Sequence, residues 1–240
     1  LTNVIVDGLS VLLNSAKVGC YMNGISYNHL IYADDTVILA PSPSSLQMLI
    51  TKCEEFAKDH ELVFNPRKTK CMCFKPRSMA DISFPMVFID NVEIEQVDEI
   101  SYLGVLLTED YLHDKTIDKE RKLLYGRGNK ITHLFNHCTD KVKVELFKTY
   151  CTSFYCAALW SNFNISSMRR IKVAHNTIFR MLMKETRFTS ASRLFMEFNV
   201  PNLDVICRKL AFSLYKRTLQ SDNTLVKGIV NSLYFVSSAL

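Results

Sequence analysis

The chain has 240 residues, 48% of them hydrophobic, with 7 Gly, 6 Pro and a net charge of +5. Such a length and apolar content can build a sizeable core and exclude a disordered or collagen-like chain. No charged-then-apolar leader opens it, and apolar runs such as 154–160 are far shorter than the roughly 20 residues that span a bilayer, so a soluble, intracellular protein without a membrane partner is expected.

Residues 1–15 carry Val6, Leu9, Leu12 and Leu13 at helical spacing and predict a helix, with Asp7 on its surface. Two strands follow, over 18–22 and 25–31, joined by Asn23-Gly24, whose residues tolerate the positive φ of a tight hairpin. Ser42 then caps a helix that Pro43 begins, and Leu46, Leu49, Ile50, Cys53, Phe56 and Ala57 form its apolar stripe. Strands are expected over 69–75, 86–89 and 92–97, with a hairpin at Asp90-Asn91, and over 100–107. The fold class expected is α+β, a single antiparallel sheet over 18–107 with the 44–58 helix on one face.

Beyond Tyr111 the period becomes helical. Ile117, Leu124 and Ile131 recur at heptad spacing in a helix that Gly126 and Gly128 weaken. Asp140 is placed to cap the next helix, whose buried side is marked by Val144, Phe147, Cys151, Phe154 and Tyr155. A third helix over 167–184 buries Ile171, Ala174, Ile178, Met181 and Leu182, and carries Arg169, Arg170 and Lys172; a fourth runs over 204–219, with a short one after it. The domains expected are residues 1–110, a basic helical region over 111–190 and a helical tail over 191–240. Charge follows this division: residues 1–111 hold 8 Lys/Arg against 15 Asp/Glu, and residues 112–190 hold 15 against 6. An acidic half joined to a basic half suits an enzyme that tracks a phosphate backbone, or charges that merely solvate helix faces.

The 8 cysteines form no Cys-x-x-Cys pair and read as reduced thiols. His133, His137 and Cys138 lack a fourth ligand at a usable spacing, so zinc is not expected.

The chemistry concentrates at Tyr32-Ala33-Asp34-Asp35, which lies between two β-prone apolar runs. A hairpin with the aspartates at its tip either is a solvated turn or gathers two repelling carboxylates around a divalent cation. With these flanks the stretch resembles the active-site hairpin of reverse transcriptases. Asn65, followed three residues later by Lys68-Thr69, is similar to that family's next motif, and Tyr102-Leu103-Gly104-Val105 resembles the segment holding the primer end. Their order resembles non-LTR (LINE-like) retrotransposon enzymes over residues 1–110; beyond that the likeness is diffuse, mainly over 150–160.

The resemblance implies a partial polymerase palm followed by a thumb-like helical region, with RNA template, DNA primer and dNTP as partners and two Mg2+ ions as cofactors. It implies Asp34 and Asp35 as metal ligands, Lys68 beside the leaving pyrophosphate, with Lys70 as the alternative, and Tyr32, Ala33, Leu103 and Gly104 at the primer end. Arg169, Arg170 and Lys172 would grip phosphates. The family's first catalytic aspartate and its fingers have no counterpart: Asp7 is the only acid before Asp34. The expectation is therefore a carboxy-terminal part of the polymerase, inactive without its missing upstream region, or else a non-catalytic RNA/DNA-binding remnant of a retroelement.

Overall fold

A computed structural model of the chain describes residues 2–75 and 84–232. It is α+β and divides into two compact units, Leu1–Ile100 with Arg217–Leu240, and Ser101–Lys216.

The first unit opens with α1 (Thr2–Ser15), β1 (Cys20–Met22), β2 (Ile25–Tyr27), β3 (His29–Tyr32), β4 (Asp35–Ile38) and α2 (Pro43–Asp59). The start of α2 follows its chemistry: the Ser42 hydroxyl accepts from the Ser45 amide at 3.2 Å, and Pro43 takes the first helical position. Two faces of α2 are buried. Leu49, Cys53 and Phe56 pack with Leu9 and Leu13 of α1, and Ile31 and Ile38 lean on the same cluster. Ile50 packs with Val87, Ile89 and Ile94. That second cluster holds β6 (Phe88–Ile89) and β7 (Val92–Glu93), whose turn residues Asp90 and Asn91 take φ of 48° and 61°. Such paired positive values are those of a tight hairpin turn. Gln47 anchors β6 to α2, donating to the Phe88 carbonyl at 2.9 Å and accepting its amide at 2.8 Å.

The single sheet expected over 18–107 is broken up. The described residues form five two-stranded ladders, and one of them, β5 (Lys70–Cys71) with β8 (Glu95–Gln96), is parallel. The strand expected over 69–75 shrinks to β5, and the one expected over 100–107 is a hairpin of β9 (Glu99–Tyr102) and β10 (Val105–Thr108). Turns at Asn23-Gly24, Ala33-Asp34, Asp90-Asn91 and Leu103-Gly104 close the other four ladders after two to four residues. The strand expected over 25–31 is divided by Asn28, which is buried and uses its side chain on the main chain. Its amide donates to the Leu13 carbonyl at 2.7 Å and the Val18 carbonyl at 2.9 Å. Gly19 permits this: at φ 146°, a Cβ there would stand 2.4 Å from that of Asn28.

The second unit holds α3 (Asp114–Leu134), α4 (Asp140–Cys151), a single 3-10 turn (Ala157–Leu159), α5 (Ile165–Leu182), α6 (Ala191–Glu197) and most of α7 (Leu203–Leu219). Ile117, Leu124 and Ile131 of α3 are buried as their spacing predicts, in one core with Phe147, Ile178 and Phe179. Gly126 and Gly128 do not interrupt α3. Gly128 is instead the close-approach point to α5, where a Cβ would lie 2.4 Å from Ile178 Cγ2. Three expectations are corrected. Thr139, not Asp140, is the N-cap residue of α4, and it makes no side-chain capping bond; Asp140 lies in the first turn, where a carboxylate complements the helix dipole. Tyr155 is exposed because α4 ends at Cys151 and leaves it on the following turn, and Met181 is exposed because it sits at the edge of the α5 stripe. Helix α6 was not foreseen; its signal is Ser190, whose hydroxyl accepts from the Arg193 amide, ahead of buried Ala191, Leu194 and Phe195.

The last described helix, α8 (Thr224–Val230), belongs to the first unit and packs on the β1–β2 hairpin. Tyr27 Oη donates to the Leu225 carbonyl at 2.7 Å, and Asn23 Nδ2 to that of Gly228 at 3.1 Å. Among the described residues no helix is long and apolar enough to cross a membrane.

Candidate active site

The β3–β4 hairpin pairs His29 with Ile38, Leu30 with Val37, Ile31 with Thr36 and Tyr32 with Asp35. Strand alternation sends Ile31 and Ile38 into the cluster with α1 and α2, and leaves Leu30 and Tyr32 exposed on the opposite face. The terminal pair places Asp35 on the Tyr32 face. Ala33 and Asp34 form the two-residue turn, and of these only Ala33 has positive φ, 53°. A left-handed alanine costs roughly 1 kcal/mol. Strain of this kind collects at functional loops, and a small side chain leaves room for close approach of a ligand.

Asp34 and Asp35 are both exposed, and neither carboxylate forms a hydrogen bond or ion pair with the described residues. Their oxygens are hard donors available to a divalent cation, and magnesium commonly takes one or two carboxylates together with substrate phosphates. The pair fits that role as a partial donor set. Among the described residues no group of three or more His, Cys, Asp or Glu is placed to hold a metal ion.

Beneath the tip lies a network absent from the sequence reading. His29 Nδ1 lies 2.7 Å from Asn28 Oδ1, and His29 Nε2 lies 2.8 Å from the Ser10 hydroxyl. The Asn28 amide nitrogen is already committed to two carbonyls, so Oδ1 is the acceptor, Nδ1 carries the proton and Nε2 accepts from Ser10. Burial holds the His29 pKa below its usual value, which keeps the ring neutral in this arrangement. The base of the hairpin is thereby tied to α1. A polar Asn-His pair inside an apolar run was the available signal.

Lys68 lies on a turn organised by Asn65, which accepts the Lys68 amide at 3.1 Å and the Thr69 hydroxyl at 3.0 Å through its carbonyl. The Lys68 side chain is exposed and has no partner among the described residues, whereas Lys70 is paired with Glu95 across the parallel ladder. Tyr32, Ala33, Asp34 and Asp35 share one hairpin, and Lys68 lies on a separate turn of the same unit.

In the second unit, Leu103 and Gly104 form the tip of the β9–β10 hairpin with φ of 46° and 80°. Tyr155 braces that tip: its hydroxyl donates to the Leu103 carbonyl at 2.5 Å, and a Cβ on Gly104 would meet its ring at 3.1 Å. Arg169 and Arg170 are exposed on α5, Arg170 donating to the Ser167 hydroxyl at 3.0 Å, while Lys172 is paired with Asp204. An open groove of about 560 Å³ runs beside Arg170 and is also lined by Lys115, Lys119 and Lys122 of α3. Its two acids are already engaged. Arg121 and Lys122 hold the Asp118 carboxyl below its usual pKa, chiefly through the Arg121 hydrogen bond, and Asp114 accepts from the Asn164 main-chain and side-chain amides. The α3 lysines were not singled out from the sequence, because their relation to Arg170 depends on the packing of α3 on α5.

Residues 1–107 match the family described as reverse transcriptase (RNA-dependent DNA polymerase). The chain is also similar to an uncharacterized transposon-derived protein of Caenorhabditis elegans, with 26% identity over 169 residues, covering 68% of this chain and 58% of that protein. No solved structure matches the chain.

Proposed function

We propose, from a chain whose first 107 residues match reverse transcriptases, that it carries the carboxylate hairpin and thumb-like helices of an RNA-directed DNA polymerase of the non-LTR retrotransposon kind. The reaction is nucleotidyl transfer from a dNTP to a DNA primer on an RNA template. The observation that carries this reading is the Asp34–Asp35 tip, whose carboxylates have no partner among the described residues, on a hairpin whose other face is packed on helices. Asp34 and Asp35 would hold magnesium, which in such sites activates the attacking hydroxyl and steadies the leaving oxygen.

Other groups contribute without the metal. Tyr32 offers a ring face beside Asp35 for the primer terminus, and Ala33 lets a strand approach closely. Lys68, whose ammonium has no partner among the described residues, neutralises charge on the departing pyrophosphate. The Leu103-Gly104 turn holds the primer strand. Arg169, Arg170 and the groove lysines bind backbone phosphates, while the Asp204 pairing of Lys172 reduces its share. In this reading a further carboxylate completes the metal site, because the described residues supply only the pair, and the chain by itself does not extend a primer.

The test is primer extension on an RNA template with magnesium, using the chain alone and the polymerase assembled with an upstream region that carries the first aspartate. The assembled enzyme should extend. Asp34→Ala should abolish extension, Asp35→Ala should be severe, and Lys68→Ala should slow the reaction about 100-fold. Extension by an assembled Asp34→Ala enzyme would refute the site; robust extension by the chain alone would refute the need for a further carboxylate. Duplex binding by the second unit should weaken with salt, with a log–log slope of about −4 to −5 if roughly five phosphates are neutralised. A salt-independent affinity would exclude backbone tracking.

A further inference from the structure

Helix α7 buries only Leu203 and Ile206, with Cys207 and Leu210 partly covered on the same side. Positions 205, 208, 212, 215 and 219, spaced three and four apart, form the opposite face. Val205 is 36% exposed, Phe212 60%, Tyr215 37% and Leu219 50%, and Arg208 is exposed among them. Lys209 and Lys216 flank the stripe, and the Lys216 ammonium lies 5.5 Å from the centre of the Phe212 ring. No acid occurs between Asp204 and Asp222, and both of these are already paired, with Lys172 and Lys227.

We propose that this face of α7 is a binding surface for single-stranded nucleic acid, separate from the basic groove beside α5. An exposed aromatic ring, Phe212, set among Arg208, Lys209 and Lys216 is a composition that stacks a base and neutralises phosphates without reading sequence. The charge excludes a second copy lying α7 on α7: in either orientation Arg208, Lys209 and Lys216 would face other bases with no carboxylate between them. A single strand suits the surface better than a duplex, because a duplex keeps its base faces stacked and offers Phe212 nothing to stack on.

Binding to this face needs neither metal nor primer, so it stands or falls independently of the polymerase reading. The probe is a fluorescent oligouridine of about 16 nucleotides, followed by anisotropy against the full chain and compared with a duplex of equal length. Phe212→Ala should weaken the single strand about 5-fold or more and leave the duplex unchanged. Phe212→Trp, which keeps a stacking face, should retain binding. Changing Arg208, Lys209 and Lys216 together to Glu should weaken the single strand at least about 10-fold and reduce its salt slope by about 2. The same assay on Arg169→Glu with Arg170→Glu separates the two surfaces, since it should weaken the duplex more than the single strand. The proposal is overturned if the triple variant binds the single strand like the parent, or if Phe212→Ala affects both probes equally. It is also overturned if sedimentation shows a dimer that Phe212→Ala dissolves while single-strand affinity stays the same.

Discussion

Two glycines on α3, two residues apart, should respond to alanine in opposite directions. Gly126 is exposed, and a Cβ there meets nothing within 4 Å. Gly126→Ala therefore collects only the helix-propensity gain of about 1 kcal/mol. Gly128 receives the same gain, but its new methyl would lie 2.4 Å from Ile178 Cγ2 and 2.9 Å from Cγ1. Carbon atoms rest near 3.5 Å or beyond, so roughly 1 Å must open between α3 and α5. Ile178 is 1% exposed and, being β-branched, has few helical rotamers to move into. Overpacking of this kind costs about 1–3 kcal/mol, which leaves Gly128→Ala destabilising by about 1 kcal/mol net and separates the two variants by about 2. In melting temperature that is about 8 °C for a unit of this size. The assay is urea and thermal unfolding followed by fluorescence of Trp160, the chain's one tryptophan, which is 9% exposed in the core of this unit. In an Ile178→Ala background the penalty of Gly128→Ala should vanish, because the opposing Cγ1, Cγ2 and Cδ1 atoms are all gone. Stabilisation by Gly128→Ala equal to that by Gly126→Ala would refute the close approach of α3 and α5.

Three further perturbations follow from single contacts. Burial pushes the His175 pKa down to about 4 from 6.5, so the unfolded state binds the extra proton first; stability from this group is complete above pH 6.5 and is lost as pH falls towards 4, by about 3 kcal/mol in all, and His175→Leu should flatten that dependence in Trp160-monitored unfolding. Arg127 binds the Glu120 carboxylate at 3.1 Å and the Ser153 carbonyl at 2.9 Å, so Arg127→Ala strands a buried charge and should cost about 3 kcal/mol by urea unfolding; an unchanged midpoint would show that Glu120 finds water instead. A Cβ on Gly228 would lie 2.2 Å from Tyr27 Oη, so Gly228→Ala should lift α8 from the β1–β2 hairpin; hydrogen exchange of residues 224–232 should quicken at least about 10-fold, and unchanged protection would contradict the contact.

Local chemistry made several elements readable along the chain. The Ser42-Pro43 start of α2, the stripe from Leu49 to Ala57 and the heptad of α3 are short-range patterns, each set by the period of one element. The hairpins at Asn23-Gly24 and Asp90-Asn91 follow from which residues accept positive φ. The Asp34-Asp35 tip was legible for the same reason, since apolar strands flank it directly. Tertiary structure decided what those patterns leave open. Asn28 could have continued a strand; it breaks one because carbonyls of Leu13 and Val18 lie within reach of its amide. Gly128 scores as a helix weakener in isolation and becomes a packing requirement only when Ile178 stands against it. Motif position favours Lys68 and leaves Lys70 as the alternative, and the parallel pairing of β5 with β8 is what ties Lys70 to Glu95. Tyr27 and Leu225 meet across 198 residues of chain, a contact no local period encodes, because the free energy that selects it comes from surfaces formed only after the elements have packed.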